Sequence, residues 1–342
     1  MANTTVPAEL INTATPLGRR NLIINGDFNI YQRTQQATGV GNSAVYPTAD
    51  RWMFNSSGEG RLTMTAGTEA APPESNVTVS CKLDCTTADT SVGASQYALL
   101  QQRIEGQNLQ HVKKGTSGAK QLTASFWVRS ETGTFTYVLE LYDADNARQI
   151  SKSFSVTSSW SKVEITFPAD TTGAFTNDNG ISLYFQIWLQ AGSNYSSGTL
   201  SDTWTSVTDA NRAVGVSNFF SSTSNELYIT AIQLEVGDVA TEFEYLTKQE
   251  SLMLCYRYYY KMEDQSSPMY GTTYNGNTAD RGFVFWSTPV PMNHTPSSTQ
   301  TVGGGTLSST YHTVERLAFY ISLTNGNASA GSVDYFDAEA EL

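Results

Sequence analysis

Apolar and polar residues alternate without interruption along residues 181–190, the clearest periodic run in the chain. The odd positions, from Ile181 to Leu189, are all apolar, whereas the even positions read Ser, Tyr, Gln, Trp and Gln. Successive side chains of a β-strand point to opposite faces, so this pattern predicts a strand whose odd positions face a core.

The same period of two recurs along most of the chain, between polar segments rich in Gly, Ser, Asn and Asp that are typical of turns. We predict that strands 122–129 and 135–141 are neighbours joined by 131–133, and we interpret 66–75, which contains Pro72 and Pro73, as a loop. The other predicted strands are 51–54, 77–84, 96–105, 150–156 and 160–167.

The stretch 227–245 is expected to close a large domain. It begins as a strand, reaches the turn signal Gly237-Asp238 and continues as a short extended tail. Its expected counterpart is a first strand at 21–28, because β-sandwiches commonly place their first and last strands side by side.

A short helix is predicted immediately after this domain. Thr247 and Glu250 have the T-x-x-E spacing of a capping box, which satisfies two backbone donors at a helix start. Leu252, Cys255 and Tyr256 then follow at helical spacing, which places the helix at about 249–257.

The last part of the chain is again β-like. It holds the apolar run 282–286, the break 289–292 and later strands at 317–323 and 332–342. In the final strand the acidic residues Asp334, Asp337, Glu339 and Glu341 alternate with small or aromatic ones, and we interpret it as a solvated edge strand.

Composition agrees with an all-β protein and narrows its partners. Charged residues make up 15% of the chain and aromatic residues 11%, and the formal net charge is −12. A general nucleic-acid binder needs clustered Lys and Arg, so we expect no nucleic-acid partner. No run of eighteen apolar residues and no signal-peptide pattern is found, so we expect neither membrane insertion nor export by that route.

Five sequence segments, taken in their order along the chain, are similar to segments of a known protein family. They are NLIINGDFNIYQR from Asn21, ADRW at 49–52, LLQQRIEG at 99–106, LTASFWVRS at 122–130 and AIQLEVGDVATEFEY at 231–245. Together they resemble the jelly-roll, carbohydrate-binding-module-like domain of virion structural and tail-fibre proteins of tailed bacteriophages. The resemblance covers about residues 18–262, and PVPMNHTP at 289–296 resembles a strand of the distal module that often follows this domain in phage fibres.

The expected fold class is therefore all-β: a jelly-roll β-sandwich followed by a short helix and a second, smaller β domain. The domains expected are an N-terminal arm at 1–17, the jelly roll at 18–246, a helical connector at 247–262 and a C-terminal β domain at 263–342. The arm is either disordered or ordered only on a neighbouring subunit or on the particle.

The resemblance also implies where the protein is found and what it assembles with. It implies a virion protein, made in the bacterial host cytoplasm, that assembles with itself and with other virion proteins. Phage fibres are commonly trimers, and because this chain has no coiled-coil heptads, a trimer would form through sandwich faces or the arm.

The even side of the 181–190 strand is the candidate binding surface. Tyr184, Gln186, Trp188 and Gln190, joined by Trp127 from another strand, offer rings for the apolar faces of sugars and amides for their hydroxyls. The alternative is that these rings lie in a subunit interface or beneath the loop 192–211, which holds Tyr195 and Trp204.

Three cysteines fit a chain made in a reducing compartment. Cys81 and Cys85 share one face of a predicted strand at a separation too long for a disulfide, and Cys255 lies among apolar neighbours, so we expect free thiols. The histidines are scattered and no C-x-x-C occurs, so we expect no zinc.

Metal and catalytic motifs give no positive signal. The Asx-rich turns at 143–146 and 177–179 could hold a structural Ca²⁺ through oxygen ligands, or could be turns alone. No nucleophile elbow, phosphate loop, zincin motif or dinucleotide fingerprint is present, so we expect no cofactor, no metal and no enzymatic activity.

The function expected is that of a bacteriophage virion structural protein, of fibre or capsid-decoration type, for which contact with the host surface is an additional role left open. The alternative is a carbohydrate-binding receptor-recognition module for host glycans. A polysaccharide-cleaving spike is a third class, since 32 acidic residues could supply a carboxylate pair that sequence spacing does not reveal.

Overall fold

The computed structural model describes residues 19–268, 281–303, 305–323 and 332–342. The predicted arm at 1–17 lies outside these residues. The chain divides between Tyr245 and Leu246 into two compact units, and the predicted connector at 247–262 falls within the second.

The described part of the first unit, residues 19–245, contains thirteen strands and a one-turn helix. The strands are β1 Gln36–Val40, β2 Ala44–Val45, β3 Met53–Ser57, β4 Arg61–Ala70, β5 Val79–Thr87, β6 Tyr97–Glu105, β7 Leu122–Ser130, β8 Phe135–Asp143, β9 Arg148–Val156, β10 Ser161–Phe167, β11 Ile181–Ala191, β12 Thr205–Ser206 and β13 Glu226–Val236, with helix α1 at Ser193–Ser196. Short 3-10 helices lie at Pro73–Ser75, Gly106–Val112, Asp209–Asn211 and Phe219–Ser221.

These strands form two antiparallel sheets. Sheet A has the order β1-β4-β5-β13-β7-β10, and sheet B has the order β12-β9-β8-β11-β6-β3-β2. The last strand, β13, lies between β5 and β7 in sheet A, and the preceding long strand, β11, lies between β8 and β6 in sheet B, so late strands of the unit pair with earlier ones in both sheets. The expected jelly-roll sandwich is thus confirmed.

The core fills the space between the two sheets. Phe126 of sheet A contacts Phe154 of sheet B with ring centroids 5.1 Å apart. The odd residues of β11, from Leu183 to Leu189, are buried in this core, as the alternation predicted. Ile181, at the strand start, is half-buried.

Residues 21–28 are not the predicted strand but a buried segment of bends and turns. Asn25 and Phe28 have φ of 57° and 55°, which breaks an extended run. Side chains satisfy the backbone instead: Asn21 Oδ1 accepts from Ile23 N at 2.9 Å and from Leu234 N at 3.0 Å. The segment still docks beside the closing strand, because Leu22 N donates to Leu234 O at 2.8 Å.

This segment joins four of the five sequence segments that carry the resemblance. The side-chain amide of Gln102 makes two hydrogen bonds to the backbone of Ile24: Oε1 accepts from the Ile24 N–H at 2.7 Å, and Nε2 donates to the Ile24 carbonyl at 2.9 Å. The Trp52 indole donates to the Asn25 carbonyl at 2.8 Å, and Ile232 N donates to Gly26 O at 2.9 Å. The quoted segments therefore form the internal framework of the jelly roll.

Two other strand predictions are wrong. Strand β4 occupies the first half of the loop predicted at 66–75, since it extends to Ala70 and pairs with β5. Strands β7 and β8 are consecutive but belong to different sheets, so residues 131–133 cross from one sheet to the other. Alternation marks the faces of a strand and says nothing about its hydrogen-bonded neighbour.

The second unit begins with helix α2 at Lys248–Tyr256, which confirms the predicted helix and its capping box. Its strands are β14 Tyr259–Pro268, β15 Arg281–Ser287, β16 Ser297–Gly303, β17 Gly305–His312, β18 Arg316–Leu323 and β19 Ser332–Glu339. They form two sheets, β14-β19-β16 and β15-β18-β17. The edge-strand interpretation of β19 is wrong, because β19 pairs with a strand on each side and Phe336 and Ala338 are buried.

No helix among the described residues combines the length and apolar character that crossing a membrane requires.

Candidate functional site

The even side of β11 lies at the centre of the outer face of sheet B. Strand β11 pairs with β6 on one side and β8 on the other, and this register aligns residues in rows across the sheet. The three central rows are Arg103–Tyr184–Tyr142, Gln101–Gln186–Glu140 and Leu99–Trp188–Val138.

The Trp188 row is covered. Trp188 is 1% exposed and belongs to a small apolar cluster with Leu99, Val138 and Ala213. Tyr195, from the loop after β11, packs on Trp188 with centroids 5.4 Å apart. Trp204 of the same loop lies elsewhere: its indole donates to Pro168 O at 2.9 Å. We call the covering segment, residues 192–217, the strap.

A buried polar network fixes the middle row. Arg212 of the strap donates to both carboxylate oxygens of Glu140, from Nε at 2.9 Å and from Nη2 at 3.1 Å. Trp188 Nε1 donates to the same carboxylate at 2.8 Å. Gln186 Nε2 donates to Gln101 Oε1 at 2.9 Å, and Gln186 Oε1 accepts from Arg212 at 3.2 Å. Each side chain therefore holds its neighbour in one orientation.

The electrostatics of Arg212 favour its charged form. Burial lowers the pKa of the guanidinium, but the charge and hydrogen bonds of Glu140 outweigh this effect and raise the pKa above its ordinary value. Arg212 thus remains a cation that anchors the strap to sheet B.

The Tyr184 row remains open to solvent. Tyr142 and Tyr184 are half-buried, with ring centroids 5.5 Å apart in an edge-to-face arrangement. Arg103 lies 5.4 Å from the Tyr184 centroid, and Arg212 lies 5.1 Å from that of Tyr142. We call Arg103, Tyr142 and Tyr184, with the polar network beside them, the tyrosine face. It presents aromatic surface next to fixed donors and acceptors.

The five predicted site residues do not form one exposed surface, although the four on β11 share one face of that strand. Gln186, Trp188 and Gln190 are buried, and Gln190 Nε2 donates to Asn218 Oδ1 at 3.1 Å. Trp127 is half-buried on β7 of sheet A, on the opposite outer face of the sandwich. Of the five, Tyr184 alone belongs to the exposed part of the tyrosine face.

Sequence reasoning did not single out Glu140, Tyr142, Arg103 or Arg212. The signal for Glu140 and Tyr142 was present, because both alternate with the buried Leu139 and Leu141 and so had to face outward. No signal marked Arg212, which reaches the sheet through the fold of the strap.

The first Asx-rich turn is occupied by an internal ammonium. Lys114 Nζ lies 2.6 Å from Asp143 Oδ2 and 3.0 Å from Asp170 Oδ2, and it donates to the carbonyls of Thr172 at 2.8 Å and Gly173 at 2.9 Å. Burial raises the pKa of Asp170, but hydrogen bonds from Arg148 and Lys114 outweigh this and lower it.

Two other oxygen ligands considered for Ca²⁺ accept hydrogen bonds from backbone N–H groups. Asp145 accepts from Thr176 N at 2.9 Å, and Asp178 accepts from Gly180 N at 2.8 Å. In the described part of the chain, no three acidic, His or Cys side chains are grouped so that they could hold a metal ion.

The fold and this face define a jelly-roll β-sandwich protein with an aromatic and polar surface on one sheet. No known protein family matches the chain, and no curated protein matches it significantly. Similar solved structures include a family 4 carbohydrate-binding module, with 11% identity and a TM-score of 0.31, covering 62% of this chain and 98% of that one.

Two further structures show the same level of similarity. A carbohydrate-binding module of family 61, solved with β-1,4-galactotriose, has 13% identity and a TM-score of 0.29, covering 64% of this chain and all of that one. The enzymatically active domain of tailspike protein 4 of bacteriophage CBA120 has 9% identity and a TM-score of 0.32, covering 64% of this chain and 21% of that one. The assignment of the jelly roll rests on the strand order of this chain itself.

Proposed function

We propose that the first unit binds carbohydrate through the tyrosine face. The observation that carries the proposal is the half-buried pair Tyr142 and Tyr184, 5.5 Å apart, beside a hydrogen-bonded network of amides, a guanidinium and a carboxylate. Tyrosine rings pack on the apolar faces of sugar rings, and the half-buried guanidinium of Arg103 offers donors for sugar hydroxyls, while the buried network holds the face rigid.

Preorganisation supports this proposal. The strands place the tyrosines, and the Arg212–Glu140 pair locks the network before a ligand arrives. A surface that is already ordered loses less conformational entropy on binding, so weak individual contacts sum to useful affinity.

The test is binding of soluble neutral polysaccharides and host-envelope glycans, measured by affinity electrophoresis and calorimetry. We expect Tyr142→Ala and Tyr184→Ala each to weaken binding at least about tenfold, or about 1.4 kcal/mol. Tyr245→Ala is the matched control, because Tyr245 is 65% exposed and lies outside the tyrosine face. Binding that survives both substitutions would remove this face from the proposal.

We further propose that the protein is a virion structural component of a tailed phage, of fibre or capsid-decoration type, that assembles as a homo-trimer. The five segments that resemble such proteins support this proposal, and four of them meet around the buried segment 21–28. Light scattering on the purified protein measures the molar mass and so the oligomeric state, for which we expect a trimer. Imaging of labelled phage particles shows where on the particle the protein lies. A chain absent from purified particles would contradict the virion role.

The proposal is of a binding protein without catalytic activity. Incubation with host envelope polysaccharide should release no reducing sugar above background. Release that depends on a pair of acidic residues would replace the proposal with a polysaccharide-cleaving function.

A further inference from the structure

A cavity of about 210 Å³ lies on the outer face of sheet A, on the side of the sandwich opposite the tyrosine face. Trp127 and Phe243 are its half-buried aromatic residues, and Glu74, Glu242 and Lys162 are its exposed charged residues. We call it the Trp127 cavity.

A bulge in β13 lies next to Trp127 and shapes this cavity. Thr230 pairs with Trp127 and Gln233 pairs with Ser125, so two residues of β13 face one residue of β7. Ala231, in the bulge, lines the cavity and has a φ of 52°, a left-handed conformation that disfavours alanine. Such bulges redirect a strand and are over-represented beside functional sites.

The buried segment 21–28, which we call the framework segment, holds the bulge in place. Asn21 Nδ2 donates to Ile232 O at 3.0 Å, and Gly26 lies so close that a Cβ on it would be 2.0 Å from the same oxygen. The strained backbone beside Trp127 is therefore maintained by buried contacts.

The tail after β13 supplies the second aromatic wall. Glu235 accepts from Thr241 N at 2.8 Å and from Thr241 Oγ1 at 2.7 Å, which folds the tail back onto sheet A. Glu242 then accepts from Asn76 Nδ2 at 2.7 Å. These contacts place Glu242 and Phe243 at the cavity before any ligand binds.

The lining matches one class of ligand. Aromatic rings pack on the C–H face of a pyranose, carboxylates accept hydrogen bonds from its hydroxyls, and an ammonium donates to them. The volume is below the roughly 300–1,000 Å³ of pockets for drug-sized ligands, which suits a single ring. Two carboxylates and one ammonium make the lining net negative, which disfavours uronic and sialic acids.

We propose that the Trp127 cavity is a second ligand site, specific for one uncharged pyranose residue at the end of a glycan chain. The site is independent of the tyrosine face, since the two lie on different sheets and share no residue. A jelly roll with both sites would engage two glycan segments at once, and its avidity would exceed that of either site alone.

The test titrates the methyl glycosides of glucose, galactose and N-acetylglucosamine, with glucuronic acid as the charged comparison, into the whole protein by NMR. We expect at least one uncharged probe to bind with a Kd on the order of 1 mM, as suits a ligand of one ring, and glucuronic acid to bind at least about tenfold more weakly. No uncharged probe binding, or equal binding of glucuronic acid, would overturn the proposal.

Substitutions at the lining residues test whether the methyl glycosides bind in the Trp127 cavity. Trp127→Ala and Glu242→Gln should each weaken binding at least about tenfold. The glutamine at 242 keeps an acceptor for Asn76, so that variant retains the tail contact. Trp160→Ala, at another half-buried tryptophan of the first unit, and Tyr184→Ala should leave it unchanged. Binding that is lost in Tyr184→Ala but kept in Trp127→Ala would assign the ligand to the tyrosine face. That result would contradict the Trp127 cavity as a second site and leave the proposed function standing.

Discussion

The guanidinium of Arg212 lies against the carboxylate of Glu140, with Nε 2.9 Å from Oε1 and Nη2 3.1 Å from Oε2. Glu140 is completely buried on a central strand, whereas Arg212 comes from the strap. This one pair fixes the strap over Trp188 and sets the boundary between the covered and open parts of the sheet.

Arg212→Met should destabilise the protein by about 3–5 kcal/mol, because it leaves the buried carboxylate of Glu140 without its cation. Urea unfolding measures the change. Glu131→Gln removes the exposed Arg129–Glu131 pair and is the control, with a cost below about 1 kcal/mol. Adding Glu140→Leu to Arg212→Met should restore part of the loss. Equal effects of the two single substitutions would show that the pair has no special role.

Lys114→Met should destabilise by a similar amount, about 3–5 kcal/mol, since Asp143 and Asp170 would keep their burial and lose the ammonium between them. Lys162→Met is the comparison, because Lys162 pairs with the exposed Glu164 at 2.7 Å. Denaturant midpoints at neutral pH compare the two, and a larger effect at Lys162 would contradict the prediction.

Acid should destabilise the first unit through Asp170. The pKa of Asp170 in the folded protein lies below its ordinary value of 3.8, because hydrogen bonds from Arg148 and Lys114 outweigh the effect of burial. A lowered folded-state pKa contributes stability above the unfolded pKa, and this stability is lost as the pH falls through the folded-state pKa. Urea midpoints at about pH 5 and about pH 3 should therefore differ, and Asp170→Asn should reduce that difference. An unchanged pH dependence in Asp170→Asn would rule out this residue as the source.

Gly26→Ala should be strongly destabilising, because the added Cβ would lie 2.0 Å from the carbonyl oxygen of Ile232 and would push the framework segment off β13. Gly118→Ala is the matched control, since its Cβ would meet only side-chain atoms at 3.7 Å and 3.8 Å, which is ordinary contact. Thermal unfolding of the two variants compares them. A melting temperature of Gly26→Ala close to that of Gly118→Ala would show that the segment moves freely.

Thiol titration should find no reactive cysteine in the native protein and three after unfolding in guanidinium. Cys81, Cys85 and Cys255 form no disulfide, as the sequence predicted, and all three are buried. Burial also raises the pKa of Cys85 to about 11, so little thiolate forms near neutral pH. Rapid labelling of one thiol in the native state would locate an opening of the core.

The strands with strict alternation were predictable because one buried face imposes a period of two. Strand β11 and the capped helix α2 lie within one or two residues of their predicted bounds. Strand β4 was not predicted, because its sequence mixes Thr, Gly and Glu with few large apolar residues and it precedes two prolines. The segment 21–28 has the apolar character of a strand, yet side-chain hydrogen bonds and left-handed residues hold it as bends.

The candidate site was half predictable for the same reason. The alternation of side chains along β11 places Tyr184, Gln186, Trp188 and Gln190 on one face. It does not predict which other residues cover that face. The strap buries Trp188. Tyr184 lies beside Tyr142 because β11 pairs with β8 in that register. Trp127 lies on the other side of the sandwich because its strand, β7, belongs to sheet A.

By itself the sequence determined that the chain folds into strands, which residues of the strictly alternating strands face inward, where the helix begins, and that its cysteines form no disulfide. These properties depend on neighbours a few residues apart, whose geometry is set by the backbone. Only the tertiary structure decided which strands pair, which sheet each joins, and how the strap, the framework segment and the tail cover or open the two outer faces. Those outcomes depend on contacts between residues more than two hundred positions apart, such as Asn21 with Leu234, and no local pattern encodes them.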